Sequence, residues 1–212
     1  MTTRYQASRA DIERMLEGQP RYRIDQVWRG LYDELSDPAD MTALPKNLRA
    51  VIDERLPRAL ELVTEHSADR GETVKFLWQL DGGSRIETVL MLYPDRATVC
   101  VSTQAGCAMA CGFCATGQAG FTRHLTAGEI VEQVVRAAQR AKAMGRRVSN
   151  IVYMGMGEPL ANEEAVWQSL ERIHDDIGIS ARQLTVSTVG IVPGIKRLAA
   201  RPLPVKIGRA HV

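Results

Sequence analysis

Three of the four cysteines in this 212-residue chain fall within one short stretch, Cys107-Ala-Met-Ala-Cys111-Gly-Phe-Cys114. Thiolates held this close repel one another unless a cation draws them together, so the C-x3-C-x2-C spacing asks for a metal. The count of three is informative. A 4Fe–4S cluster bound by three thiolates keeps one iron open, and an open iron can chelate a small molecule. Structural zinc usually takes four Cys or His ligands in pairs; His124 could supply the fourth, which keeps zinc as an alternative. A disulfide is the weaker reading, because nothing in the sequence suggests secretion.

Four further groups could take part in chemistry. Glu87 is a carboxylate inside a strand-like run, where a solvated face is the ordinary explanation. Cys100 stands seven residues before the first cysteine of the loop, and a lone cysteine also serves as a small buried hydrophobe. Gly157-Glu158-Pro159 reads equally as a tight turn with a carboxylate at a helix start. Ser187 ends a strand, where a serine often makes only a local hydrogen bond.

Composition bounds the answer. With 45% hydrophobic residues and a net charge of +2, the chain is an ordinary globular protein, and charge alone does not announce nucleic acid. The start Met1-Thr-Thr-Arg-Tyr-Gln carries no apolar segment of a signal peptide. No run approaches the length of a membrane span. The expectation is a soluble cytoplasmic protein whose thiols stay reduced. The Arg136, Arg140, Arg146 and Arg147 set could bind phosphate, but cations there also complement a helix C-terminus.

The elements that must position these groups follow from periodicity. Residues 1–60 read as a small helical domain: Ile12, Met15 and Leu16, then Ile24, Val27, Trp28, Leu31 and Tyr32, then Leu44, Leu48, Val51, Ile52 and Leu56 recur at helical spacing. Trp28 and Tyr32 could stack on RNA bases, but aromatics on an apolar stripe are more often core. Residues 61–94 read as a β-hairpin connector, two alternating runs around Asp81-Gly82-Gly83. From 95 to 206 the rhythm is strand, helix, strand, helix. Strands are expected at 97–102, 148–154, 183–188 and 203–207. A Thr126–Glu129 capping box opens the first helix and Asn162 caps the second. That order means a parallel sheet, an incomplete (β/α) barrel in which chemistry sits at the strands' C-terminal ends. The cysteine loop, Gly155–Pro159 and Ser187 all fall there.

At Cys100-Val-Ser-Thr-Gln-Ala-Gly-Cys107-Ala-Met-Ala-Cys111-Gly-Phe-Cys114-Ala-Thr-Gly and Met154-Gly-Met-Gly-Glu-Pro-Leu160 the chain resembles the radical S-adenosylmethionine (SAM) RNA adenine-C2 methyltransferases. The resemblance runs from Tyr22-Arg-Ile-Asp-Gln-Val-Trp through Arg85-Ile-Glu-Thr-Val-Leu to Leu184-Thr-Val-Ser-Thr. It implies an α/β fold with a partial radical SAM barrel, a 4Fe–4S cluster on Cys107, Cys111 and Cys114, and SAM bound by Gly157, Glu158 and Ser187. It implies Glu87 as proton acceptor and Cys100 as the cysteine that resolves a covalent protein–RNA adduct through a disulfide. The implied partners are 23S rRNA, tRNA and an electron donor such as flavodoxin, with the protein a monomer. The related adenine-C8 methyltransferases share these motifs. A non-catalytic iron–sulfur or zinc module that binds RNA is the alternative of a different class, and Gly157-Glu158-Pro159 argues against it.

The sequence also departs from that family. The methyl-carrying cysteine of the C-terminal segment is missing, four strands do not close the barrel, and Ile207-Gly-Arg-Ala-His-Val212 reads as a non-native tail. The expectation is an inactive fragment whose open strand edges favour aggregation.

Overall fold

Ser8 and Asp11 each bond the other's backbone, the reciprocal cap that opens α1 (Arg9–Met15). In a computed structural model, which describes residues 2–209, α1 packs with α2 (Tyr22–Tyr32) and α3 (Lys46–Arg55) around Ile12, Val27, Leu31 and Ile52. Arg4 is almost fully buried among them. Its guanidinium donates to Asp37 at 2.7 Å, Asp53 at 2.6 Å and the Leu56 carbonyl at 3.3 Å. Trp28 and Tyr32 stack with ring centroids 4.7 Å apart, and Trp28 Nε1 donates to Asp176. Tyr32 is buried, as expected of a stripe, and Trp28 is partly buried against the same core.

The chain then builds β1 (Leu60–Ala68), β2 (Thr73–Leu80), β3 (Arg85–Leu92) and β4 (Ala97–Cys100). A short ladder of β5 (Gln104–Gly106) and, beyond the four-residue α4 (Ala115–Gln118), β6 (Phe121–His124) closes the neck of the cysteine loop. There follow α5 (Ala127–Ala143), β7 (Val148–Tyr153), α6 (Glu163–Asp175), β8 (Leu184–Thr188), α7 (Val192–Ala199) and β9 (Lys206–Arg209). The main sheet has seven strands in the order β1-β2-β3-β4-β7-β8-β9. The first three pairings are antiparallel and the last three parallel.

The hairpin is thus continuous with the parallel strands, since Val89 pairs Cys100 and Leu92 pairs Ala97 across β3 and β4. β1 shows no clear alternation because it is an edge strand, exposed over most of its length and bulged between Leu62 and Thr64. The β5 and β6 strands are too short for period two to register. β9 starts later than the expected 203–207 run, consistent with Pro204 lacking the N–H a ladder needs. It includes the first residues of the suspected tail, whose last three lie outside the described residues.

One face of the sheet is dry. Ile86, Leu90, Val99, Val101, Ile151, Leu184 and Val186 are all fully buried beneath the helices with Ile130, Val134, Leu170 and Ile173. Strand alternation turns Glu87, Val89, Cys100, Val152, Thr185 and Ser187 to the other face. The helical domain docks through Arg172 of α6, which donates to the carbonyls of Tyr5, Gln6 and Ala7 and to Tyr32 Oη. Glu132 of α5 completes the dock by accepting from the backbone of Ala59 at 2.8 Å and Leu60 at 3.2 Å.

Candidate active site

Thr126 and Glu129 form the capping box expected of α5. Glu129 also takes both arms of Arg123, at 2.7 and 2.9 Å, so the chain leaving the cysteine loop is tied to the helix that follows. The neck is narrow: Cys107 N donates to the Gly120 carbonyl at 2.9 Å. Gly106 has φ +77°, and a Cβ there would stand 1.9 Å from the Gly120 oxygen, so no other residue fits without moving the backbone.

The loop opens onto a cavity of about 410 Å³ lined by Cys107, Cys111, Cys114, Gly157, Glu158, Pro159 and Ser187, with Met109, Phe113, Met154 and Val189 as its apolar wall. It sits at the C-terminal ends of β7 and β8, where parallel α/β sheets bind ligands. Among the described residues, the three thiols make no side-chain hydrogen bond, and no three Cys, His, Asp or Glu side chains stand close enough to hold a metal ion. The expected ligands thus share a cavity without converging on one point. A cluster suits that donor set better than zinc does, because each thiolate then bonds a different iron. His124, the candidate fourth zinc ligand, is not among the residues lining this cavity; its Nδ1 lies 3.1 Å from Gln104 Nε2, and its ring packs on Phe121.

Gly157 and Glu158 form the cavity's other wall. Gly157 has φ +99°, and a Cβ there would meet Gln104 Cβ at 2.5 Å. Glu158 is buried at 3% exposure. Its Oε1 accepts from Leu160 N at 3.0 Å and its Oε2 from Val189 N at 2.9 Å, joining the turn after β7 to the loop after β8. Each oxygen keeps a lone pair for a ligand. Ser187 lines the same cavity as the cysteines.

Glu87 and Cys100 do not line this cavity. They share the sheet face opposite the helices, on adjacent strands. Glu87 is 42% exposed and pairs with Lys75 Nζ at 3.0 Å. Cys100 is a free thiol, as are all four cysteines. Burial raises its pKa from the ordinary 9.0 to about 11, partly offset by a hydrogen bond from the Met154 backbone. The unfolded thiol therefore releases its proton first, and stability falls as pH rises from about 9 to about 11. Correspondingly, the rate of Cys100 alkylation by iodoacetamide is expected to keep climbing toward pH 11, where an ordinary thiol levels off near 9. Peptide mapping by mass spectrometry across that range checks it; a plateau at pH 9 goes against it.

Sequence reasoning missed the buried polar links behind the site. Gln133, fully buried on α5, donates to the Ser102 carbonyl at 3.0 Å and accepts from Ser102 N at 2.8 Å. Ser102 Oγ donates to the Glu87 carbonyl at 2.6 Å and accepts from Met156 N at 3.0 Å. The signal was present, because a glutamine on the same helical stripe as Ile130 and Val134 needs buried partners. Asn162 heads α6 but does not cap it with its side chain. Its amide donates instead to the carbonyls of Thr103 at 2.9 Å and Leu125 at 2.8 Å. Of the arginines near the end of α5, Arg140 pairs Glu65 and Arg146 donates to the Pro94 carbonyl. Arg136 lies over the Trp78 ring, 5.3 Å from its centroid.

Comparison with known proteins agrees with this geometry. Residues 101–204 match the Radical SAM superfamily. The chain is 48% identical to a Chloroflexus aurantiacus protein named "Probable dual-specificity RNA methyltransferase RlmN", over 96% of this chain and 57% of that one. A Frankia casuarinae protein of the same name is 53% identical over 90% of this chain and 48% of its own length. The crystal structure of a radical SAM methyltransferase from Sphaerobacter thermophilus superposes with a TM-score of 0.92 at 50% identity, covering 99% of this chain and 63% of that one. The chain spans about half the length of the curated relatives it matches.

Proposed function

We propose that the chain belongs to the radical SAM superfamily and, within it, to the dual-specificity RNA methyltransferases it matches, and that it is the cluster-bearing part of an enzyme that methylates C2 of adenine in 23S rRNA and tRNA. The observation that carries the proposal is the shared cavity, lined by the three loop cysteines together with Gly157 and Glu158. Cys107, Cys111 and Cys114 would hold a 4Fe–4S cluster, which would supply reductive, radical-generating chemistry toward SAM.

The chain's own groups account for the rest. Glu158 accepts from the SAM ammonium with its remaining lone pairs, the Gly157 backbone borders the same cavity, and Ser187 donates to the ligand. Phe113, Met109, Met154 and Val189 give the cavity an apolar lining. Glu87 takes the adenine C2 proton, and Cys100 resolves the protein–RNA adduct by a disulfide with the methyl-carrying cysteine, which is not among the four present. Their common sheet face supports that pairing of roles. In this reading residues 1–60 form a helical domain, 61–94 a β connector and 95–206 an incomplete barrel followed by a non-native tail. The protein acts in the cytoplasm as a monomer, with RNA and an electron donor such as flavodoxin as partners. Among the described residues no helix is long and apolar enough to cross a membrane.

The test is anaerobic reconstitution with iron and sulfide, followed by reduction. SAM is expected to change the cluster's electron paramagnetic resonance signal and to yield 5′-deoxyadenosine. A signal indifferent to SAM would make the chain a binding module without radical chemistry.

A further inference from the structure

We infer that Gln104 is a positioning residue: it fixes the turn carrying Gly157 and Glu158 against the neck of the cysteine loop. The inference rests on the functional reading above for what the two parts hold, but not for the contact between them. Gln104 belongs to β5, one side of the neck, and is 1% exposed. Both ends of its amide are used. Oε1 accepts from Glu158 N at 2.9 Å, and Nε2 faces His124 Nδ1 on β6 at 3.1 Å. The orientation is set by chemistry. Glu158 N–H can only donate, so the amide oxygen must face it, and the NH2 group must then donate to His124.

Gln104 meets the turn at three successive residues. Its backbone N donates to the Met156 carbonyl at 3.2 Å, its Cβ occupies the space a side chain at Gly157 would need, and its Oε1 holds Glu158. Asn162 ties the neck to the start of α6 through the Thr103 and Leu125 carbonyls, but it does not reach Glu158. Glu158 in turn carries the loop after β8 through Val189 N. A shift of the Gln104 amide therefore moves one whole wall of the cavity relative to the wall bearing the thiols. The spacing of those walls is what a ligand bridging them would feel.

Three variants of the full chain test this. Gln104→Met keeps the volume and loses both side-chain bonds, Gln104→Asn keeps an amide one methylene too short, and Gln104→Glu keeps an acceptor for Glu158. Amide exchange at Glu158, measured without metal, is expected to quicken roughly tenfold or more in the Met and Asn variants, as loss of one buried hydrogen bond implies. It should return close to the wild-type rate in the Glu variant. After reconstitution the same two variants should carry wild-type iron yet bind SAM roughly tenfold more weakly, with the Glu variant recovering most of the affinity. The role is overturned if Gln104→Met leaves Glu158 exchange and SAM affinity unchanged, or if Gln104→Glu does no better than Gln104→Met. Failure of iron-loaded wild-type protein to bind SAM would instead sink the functional reading. The exchange comparison would then uphold or overturn the role of Gln104 alone.

Discussion

Replacing Cys107, Cys111 or Cys114 by alanine, one at a time, is expected to abolish iron–sulfur loading. The reconstituted variants should lose nearly all the bound iron and the broad visible absorbance of the wild type. The reason is stoichiometric. Each thiolate bonds its own iron, and among the described residues no nearby His, Asp or Glu completes a metal-holding group that could substitute. His124 is not among the residues lining the cavity. The fold should hardly change, because the three side chains are half-buried and make no side-chain hydrogen bonds among the described residues; a shift within about 0.5 kcal/mol is expected, as for ordinary surface positions. Cys100→Ala is the control. It should keep full iron loading, since Cys100 lies outside the cavity. A single loop variant that loads iron like the wild type would remove the three-ligand assignment.

Gly106→Ala is expected to have the largest effect on the fold near the site. The added methyl would lie 1.9 Å from the Gly120 carbonyl oxygen, which is backbone and cannot swing aside, and φ of +77° disfavours any L side chain. The Gly120 carbonyl accepts from Cys107 N, so the neck must open at the first cysteine to admit the methyl. The expected cost is about 3 kcal/mol or more in urea unfolding, with iron loading reduced in parallel. Gly112→Ala is the matched comparison, because nothing lies within 4 Å of its Cβ position. If both variants unfold at the same urea concentration, the close approach at the neck is not a constraint.

Much of the architecture was legible because it rests on local rules. The capping box at Thr126–Glu129 and the helical stripes needed only nearby residues, and each formed where the pattern put it. The Asp81-Gly-Gly turn joined two strands of the expected lengths. What failed were elements whose pattern is weak or whose partners are distant. β1 is a bulged, exposed edge, and β5 and β6 pair across the whole cysteine loop. Asn162 looked like a cap because its position fits one, yet its amide goes to carbonyls that only tertiary packing brings near.

For the candidate site the division is similar. Residue type and spacing alone singled out three cysteines, a Gly-Glu-Pro turn and a strand-end serine, since thiolate chemistry and turn geometry are encoded within a few residues. Tertiary structure decided the rest. It gathered the cysteines, Glu158 and Ser187 around one cavity and left Glu87 and Cys100 on the neighbouring sheet face. It also bound both Glu158 oxygens to backbone amides from separate loops and made Gln104 and Gln133 the links behind the site. Apart from the local bond of Leu160 N to Glu158, those contacts join residues about 30 to 55 positions apart, and hydrogen bonds across such separations leave no periodic trace in a sequence.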